Sequence, residues 1–345
     1  MIKRALQAVI SGEMLTRELA EQTMEQIMAG EATGSQIAAL LTALRMRGET
    51  VEEITGFAKA MRSFVTPVES SLSGLVDTCG TGGDGADTFN ISTTASFVAA
   101  AAGVKIAKHG NRSVSSRSGS ADVLQALGVN IDLTPAQAAH CLEQVGLTFL
   151  FAQLYHPAMK HAIGPRRELG FRTVFNVLGP LTNPAGTKRQ VIGTFGADLV
   201  EKMAYALAEL GTEHALVVHG ADGLDEITVT DATKIAEVRG GKVERVFTFT
   251  PEEVGLKRHP IEAIRGGEAQ ENAEILIQIL DGKQGGARDI VVLNAAATLY
   301  VAGQATSIGE GVQLAQAAID SGRAKELLQQ LVNVSQSMVR EKELA

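Results

Sequence analysis

The chain has 345 residues, 45% hydrophobic and 20% charged, with 31 Lys and Arg against 39 Asp and Glu for a net charge of −8. Such a composition belongs to an ordinary folded protein and excludes a disordered chain, a collagen-like strand or a coiled-coil rod. At about 150 residues per domain the length points to two domains, and the acidic balance argues against a broad nucleic-acid surface, so any anion site must be local. Aromatics are only 4%, with no Trp, which leaves little material for stacking single-stranded bases.

The two cysteines, Cys79 and Cys141, lack Cys-x-x-Cys spacing, so neither a disulfide framework nor a structural zinc site is expected and a reducing compartment is the simple inference. Met1 to Ala5 runs into an amphipathic pattern with Glu13 and Glu18, unlike an apolar signal core, and no stretch approaches the roughly 20 apolar residues needed to span a bilayer. The expectation is a cytoplasmic protein with no membrane partner.

The first 65 residues read as helix. Ile37, Leu40, Leu41 and Leu44 make an i, i+3, i+4, i+7 stripe stopped by Gly48, and Thr50 with Glu53 forms a capping box before Ile54, Phe57, Ala58 and Met61. These stripes suit either an internal helical core or a subunit interface. After Pro67 the texture changes. Leu75 to Asp77 reads as a buried strand, Thr93 to Ala102 as a helix, Val104 to Ala107 as a strand and Ala121 to Leu127 as a helix. Thr134 and Pro135 form an N-cap and N1 pair opening another helix. Further strands are expected at Leu147 to Phe151, Val191 to Thr194, Ala215 to Val218 and Ile290 to Leu293, and a hairpin around Gly240-Gly241. The alternation predicts an α/β fold: a small all-helical N-terminal domain (residues 1–70, joined by part of 155–184) and a large α/β domain (71–345) with a mostly parallel sheet covered by helices.

The strongest chemical signal is a strand exit, Gly80-Thr81-Gly82-Gly83-Asp84-Gly85. Glycine admits positive φ and close approach, so successive N–H groups can converge on a phosphate. A few residues on, Asn90-Ile91-Ser92-Thr93 places hydroxyls at a helix start, adding its unpaired N–H groups and positive dipole end. A third piece, Lys108-His109-Gly110-Asn111-Arg112-Ser113-Val114-Ser115-Ser116, gathers cations and hydroxyls suited to a polyphosphate, although a solvated basic loop would look the same. Finally Asp225-Glu226, beyond the apolar strand ending at Val218, offers adjacent carboxylates of the kind that hold Mg²⁺ beside substrate phosphates. Taken alone each is a weak signal.

In this order, together with Tyr155 to Lys160, Arg166 to Gly170 and Arg172 to Pro184, the pieces resemble the anthranilate phosphoribosyltransferases, the tryptophan-pathway family among the nucleoside-phosphorylase-like phosphoribosyltransferases. The resemblance runs the length of the chain. It implies transfer of the phosphoribosyl group of phosphoribosyl pyrophosphate (PRPP) to the amino group of anthranilate, with Mg²⁺ as cofactor and a homodimer formed through the helical domain. Carried over by position, Gly80, Gly82, Gly83, Asp84, Thr88, Asn90, Ile91, Ser92 and Thr93 hold PRPP, as do residues 108–116 and Ser120. Ser92, Asp225 and Glu226 bind Mg²⁺; Gly80, Asn111 and Arg166 contact anthranilate; Lys108, Asp225 and Glu226 carry the catalysis. No general base is implied, and His109 and His156 read as structural hydrogen-bonders ahead of late proton acceptors.

Three rivals are weaker. A pyrimidine nucleoside phosphorylase shares the fold but takes inorganic phosphate and needs no Asp225-Glu226 metal pair. A nucleic-acid binder on the same scaffold should show a basic groove, against a net charge of −8. A type I phosphoribosyltransferase needs paired acids ending the strand before its loop, and Asp77 has no acidic neighbour.

Overall fold

A computed structural model describes residues 1–113 and 117–344. Four helices come first: α1 (Ile2–Ile10), α2 (Arg17–Met28), α3 (Gly34–Arg47) and α4 (Val51–Ser63). The Thr50–Glu53 capping box forms, and Thr33 with Gln36 makes another at the start of α3. Ile27, Ile37, Leu40, Leu41, Leu44, Ile54 and Phe57 are all buried within the single chain, so the apolar stripes make an internal core.

The larger part begins β1 (Val76–Gly80), α5 (Ile91–Ala101), β2 (Ile106–Gly110), α6 (Ser120–Ala126), α7 (Pro135–Val145) and β3 (Leu147–Phe151). It continues through the short α8 (Ala152–Tyr155), then α9 (Lys160–Leu169), α10 (Val174–Leu178), β4 (Arg189–Gly193) and α11 (Ala197–Glu209). β5 (His214–Gly220), β6 (Thr233–Arg239) and β7 (Lys242–Phe249) complete the sheet, and α12 (Ala269–Leu280), α13 (Gly286–Ala302), α14 (Ile308–Asp320) and α15 (Arg323–Leu344) follow. The sheet order is β3-β2-β1-β4-β5-β6-β7, parallel from β3 to β5, with β6 and β7 added antiparallel as the hairpin at Gly240-Gly241.

Alternation along the strands divides the core. Val191, Leu216 and Val218 face the cluster built with α5 and α13, while Ile192, Ala215 and Val217 face the cluster that includes α11 and the N-terminal helices. Residues 162–181 also contribute to the second cluster through Ala162, Val174, Phe175 and Leu178. Two backbone hydrogen bonds tie the start of the α/β part to this segment, from Thr66 N to Tyr155 O and from Val68 N to Pro184 O.

One expected strand is a helix. Ile290 to Leu293 lies inside α13, whose 17 residues are buried on nearly every side between the sheet, α5 and α14. A helix enclosed all round has no polar face, so its β-branched run looks like that of a buried strand; only the continuation through Asn294 to Ala297 distinguishes them.

The topology fixes where ligands can go. From β1 the chain winds outward to β2 and β3, then crosses back to β4 on the other side of β1. The direction reverses between β1 and β4, and crevices at the carboxyl ends of parallel strands at such a reversal are where α/β folds bind ligands. At that point the paired terminal residues are both glycine, Gly80 and Gly193.

Candidate active site

Over this glycine pair sits Asp225. A Cβ built on Gly80 would lie 2.6 Å from Asp225 Oδ2, and one on Gly193 would lie 1.5 Å from the Asp225 backbone oxygen. The backbone N–H of Gly82, a residue with φ +66°, donates to Asp225 Oδ2 at 2.9 Å. Next to it, the N–H of Ser92 in the first turn of α5 donates to Glu226 Oε1 at 3.2 Å. Residues separated by 143 and 134 positions thus meet on the predicted loop and helix start.

The two carboxylates lie in a water-poor environment. Burial, reinforced by the charge of Asp84, raises the pKa of Asp225; burial and then the charge of Asp225 raise that of Glu226. A bound divalent cation would remove that cost. Among the described residues no group of three or more His, Cys, Asp or Glu side chains is placed to hold a metal alone. The adjacent carboxylates of Asp225 and Glu226 are a donor set that suits Mg²⁺, which takes one or two carboxylates and fills its remaining positions with water and phosphate.

Lys108, at 2% exposed, rises from β2 beneath this pair. Its Nζ donates to the Thr78 carbonyl and, at 3.3 Å, to Ser92 Oγ, and burial lowers its pKa. Asp77, wholly buried on β1, accepts from the His109 N–H at 3.0 Å and from Asn183 Nδ2 at 2.7 Å, locking β1, β2 and the segment before β4 together. Asn90 donates to the Ser118 carbonyl at 3.1 Å and accepts from Asn272 Nδ2 at 3.1 Å, joining the start of α5 to the serine loop and α12. The Ile91 N–H is taken up locally by the Phe89 carbonyl, and among the described residues the buried Thr93 hydroxyl has no partner.

The remaining predicted residues are less concentrated. Gly83 lies against Arg172, and Thr88 forms a bridge with Arg265. Arg112 is held by Asp122 at 2.7 Å, and the N–H groups of Ser113 and Gly119 bond to the same carboxylate. Ser120 opens α6 against Gly110. Asn111 Oδ1 accepts from the Arg112 N–H at 2.8 Å. Val114, Ser115 and Ser116 lie outside the described residues. His109 and His156 bring their Nε2 atoms to 3.1 Å of each other, and burial depresses them to about 3 and about 4, so both rings are neutral at pH 7. Arg166 stacks on Phe175 at 5.1 Å and makes no ion pair among the described residues; no hydrogen bond joins it to Gly80 or Asn111.

Sequence reasoning missed two residues that position the site. Gly193 lies unremarked inside the expected strand Val191 to Thr194, yet its missing side chain is what lets Asp225 approach. Asn294, inside the misassigned helix, clamps both backbone groups of Ile227: its Nδ2 donates to Ile227 O at 2.9 Å and its Oδ1 accepts from Ile227 N at 3.1 Å.

Comparison with known proteins bears on this geometry. Residues 72–325 match the model of a glycosyl transferase family α/β domain, and residues 3–65 that of the same family's helical bundle domain. A Rubrobacter xylanophilus anthranilate phosphoribosyltransferase is 55% identical over 339 residues, covering 98% of each chain. This chain belongs to the anthranilate phosphoribosyltransferase family. The family's crystal structure from Thermus thermophilus superposes with a TM-score of 0.91 at 46% identity, covering 96% of this chain and 99% of that one. The anthranilate phosphoribosyltransferase of Saccharomyces cerevisiae in complex with PRPP and Mg gives a TM-score of 0.89 at 27% identity over 97% and 98% of the two chains, and the same yeast enzyme is known in complex with 4-fluoroanthranilate.

Proposed function

We propose that this chain transfers the 5-phosphoribosyl group of PRPP to the amino group of anthranilate, giving N-(5-phosphoribosyl)anthranilate and pyrophosphate. The observation that carries the reading is the convergence of Gly82 and Ser92 N–H groups on Asp225 and Glu226 at the reversal point of the sheet. Breaking the C1–pyrophosphate bond leaves an electron-poor ribose and a highly charged leaving group, so electrostatics and positioning supply most of the catalysis.

In this reading the glycine loop, Asp84, Thr88 and Asn90 to Thr93 hold PRPP with residues 108–116 and Ser120. Ser92, Asp225 and Glu226 hold Mg²⁺, which when bound neutralises charge developing on the pyrophosphate. Lys108 sits between Thr78 and Ser92, where its charge reaches Asp225 and Glu226 and fixes the field around them. Anthranilate's aromatic amine is neutral at pH 7 and attacks without a strong base. Arg166, with Gly80 and Asn111, receives its carboxylate; its guanidinium, held over the Phe175 ring, offers the fork that bidentate recognition needs.

The same reading keeps a helical domain (residues 1–70 with part of 155–184) beside the α/β domain (71–345), a cytoplasmic setting and a homodimer through the helical domain. Apolar side chains of that domain left in solvent, Ile10, Met14 and Met46 among them, are the material such an interface would use. Among the described residues no helix is long and apolar enough to cross a membrane. A crystal soaked with PRPP and Mg²⁺ tests the assignment: donor density bridging residues 80–85, 90–93 and 225–226 is expected, and density elsewhere, with those residues bare, would refute it.

A further inference from the structure

On the helical side of the molecule a second cleft, of about 380 Å³, lies between the α3–α4 turn and the N-terminal half of α11. Five charged side chains line it: Arg45, Glu49, Arg172, Asp198 and Lys202. Among the described residues none of the five makes an ion pair within 4.0 Å, although side chains elsewhere in the chain pair freely. Glu49 is the most telling. It is 7% exposed, and among the described residues its carboxylate accepts a hydrogen bond from its own backbone N–H and makes no ion pair. Burial raises its pKa, while the charges of Arg45 and Lys202 reach it across a gap without contact.

A buried carboxylate held only by its own backbone N–H is costly, and cations kept near it yet out of contact leave room for something between. The cleft's apolar lining, Val177, Leu199 and the Phe195 ring carrying Arg172 at 4.7 Å, supplies a flat surface beside that polar end. A simple anion would satisfy the cations and be repelled by Glu49; a simple amine would do the reverse. We propose that this cleft is a second small-molecule site that takes an α-amino acid as its zwitterion, the ammonium on Glu49, the carboxylate between Arg45 and Lys202, and the side chain against Phe195 and Arg172. Its volume is in the range of ordinary ligand pockets. It adjoins the glycine loop from behind: the Phe195 N–H donates to Thr81 Oγ1 at 2.9 Å, and Arg172 Nε would lie 3.2 Å from a Cβ on Gly83.

The test is titration calorimetry on the whole protein, free of PRPP and anthranilate, with the L-amino acids one at a time, benzoate and inorganic phosphate. At least one amino acid is expected to saturate a single site with a Kd below about 1 mM. Its N-acetyl derivative and its decarboxylated amine should each bind at least about tenfold more weakly, as should Glu49→Gln and Lys202→Met proteins whose melting temperature and turnover are unchanged. The proposal is overturned if no amino acid saturates, if benzoate or phosphate binds as well as the best amino acid, if PRPP or anthranilate displaces it, or if Lys202→Met binds like the parent.

Discussion

Gly193 and Asp225 are packed so closely that any side chain on the first would occupy the carbonyl oxygen of the second. The end of β4 therefore sets the height at which the acidic pair rides over β1, and through the Gly82 N–H it also sets the shape of the glycine loop.

Gly193→Ala follows directly. The added methyl must push residues 225–226 away, so we expect kcat/KM to fall at least about 100-fold, equivalent to about 2.7 kcal/mol of transition-state stabilisation. Overpacking of this kind should cost about 1–3 kcal/mol of stability, leaving a folded protein. Steady-state kinetics beside a thermal melt separate the two effects, and an active alanine variant would refute the positioning role.

The acidic pair should govern metal use. In Asp225→Asn with Glu226→Gln, the Mg²⁺ concentration giving half-maximal rate should rise at least about tenfold. Initial rates across a Mg²⁺ series measure it, and a profile unchanged from the parent would remove both residues from the metal site.

Arg166 should act on one substrate. Arg166→Ala is expected to raise the KM for anthranilate far more than that for PRPP, because its proposed partner is the acceptor carboxylate alone. Arg166→Lys should rescue little, since an ammonium cannot form a two-pronged contact. Equal changes in both KM values would take Arg166 out of the acceptor site.

The His109–His156 pair gives the fold an acid sensitivity. Both imidazoles are held neutral, at about 3 and about 4 against an ordinary 6.5. Between those values the unfolded chain binds more protons than the folded one, so stability is full above about pH 6.5 and is lost as pH falls below it. From pH 7 to pH 5 the loss should be about 1–2 kcal/mol per imidazole. Urea unfolding at the two pH values measures it, and His156→Gln should shrink the difference; an identical difference in the variant would assign the acid loss elsewhere.

What was legible in the sequence had local causes. The capping box at Thr50 and the N-cap and N1 pair at Thr134 and Pro135 mark real helix starts, and the run Leu147 to Phe151 is β3 to the residue, because caps over a few positions and a short apolar run between turns are written in consecutive residues. The glycine loop, the helix start and the Asp-Glu pair were each visible as motifs. Their meeting point was not: Asn183 reaching Asp77 across 106 residues, and Asn294 holding Ile227 across 67, are products of the crossover and of a helix that a β-branched run disguised. Gly193 looks like any strand-ending glycine until Asp225 is placed above it.

Anthranilate is fluorescent, so the central claim can be watched directly. With purified protein, PRPP and Mg²⁺ present, its fluorescence should decay with one pyrophosphate released per anthranilate consumed, and leaving out any one component should stop the decay. A folded preparation that binds PRPP but neither consumes anthranilate nor releases pyrophosphate would contradict the account.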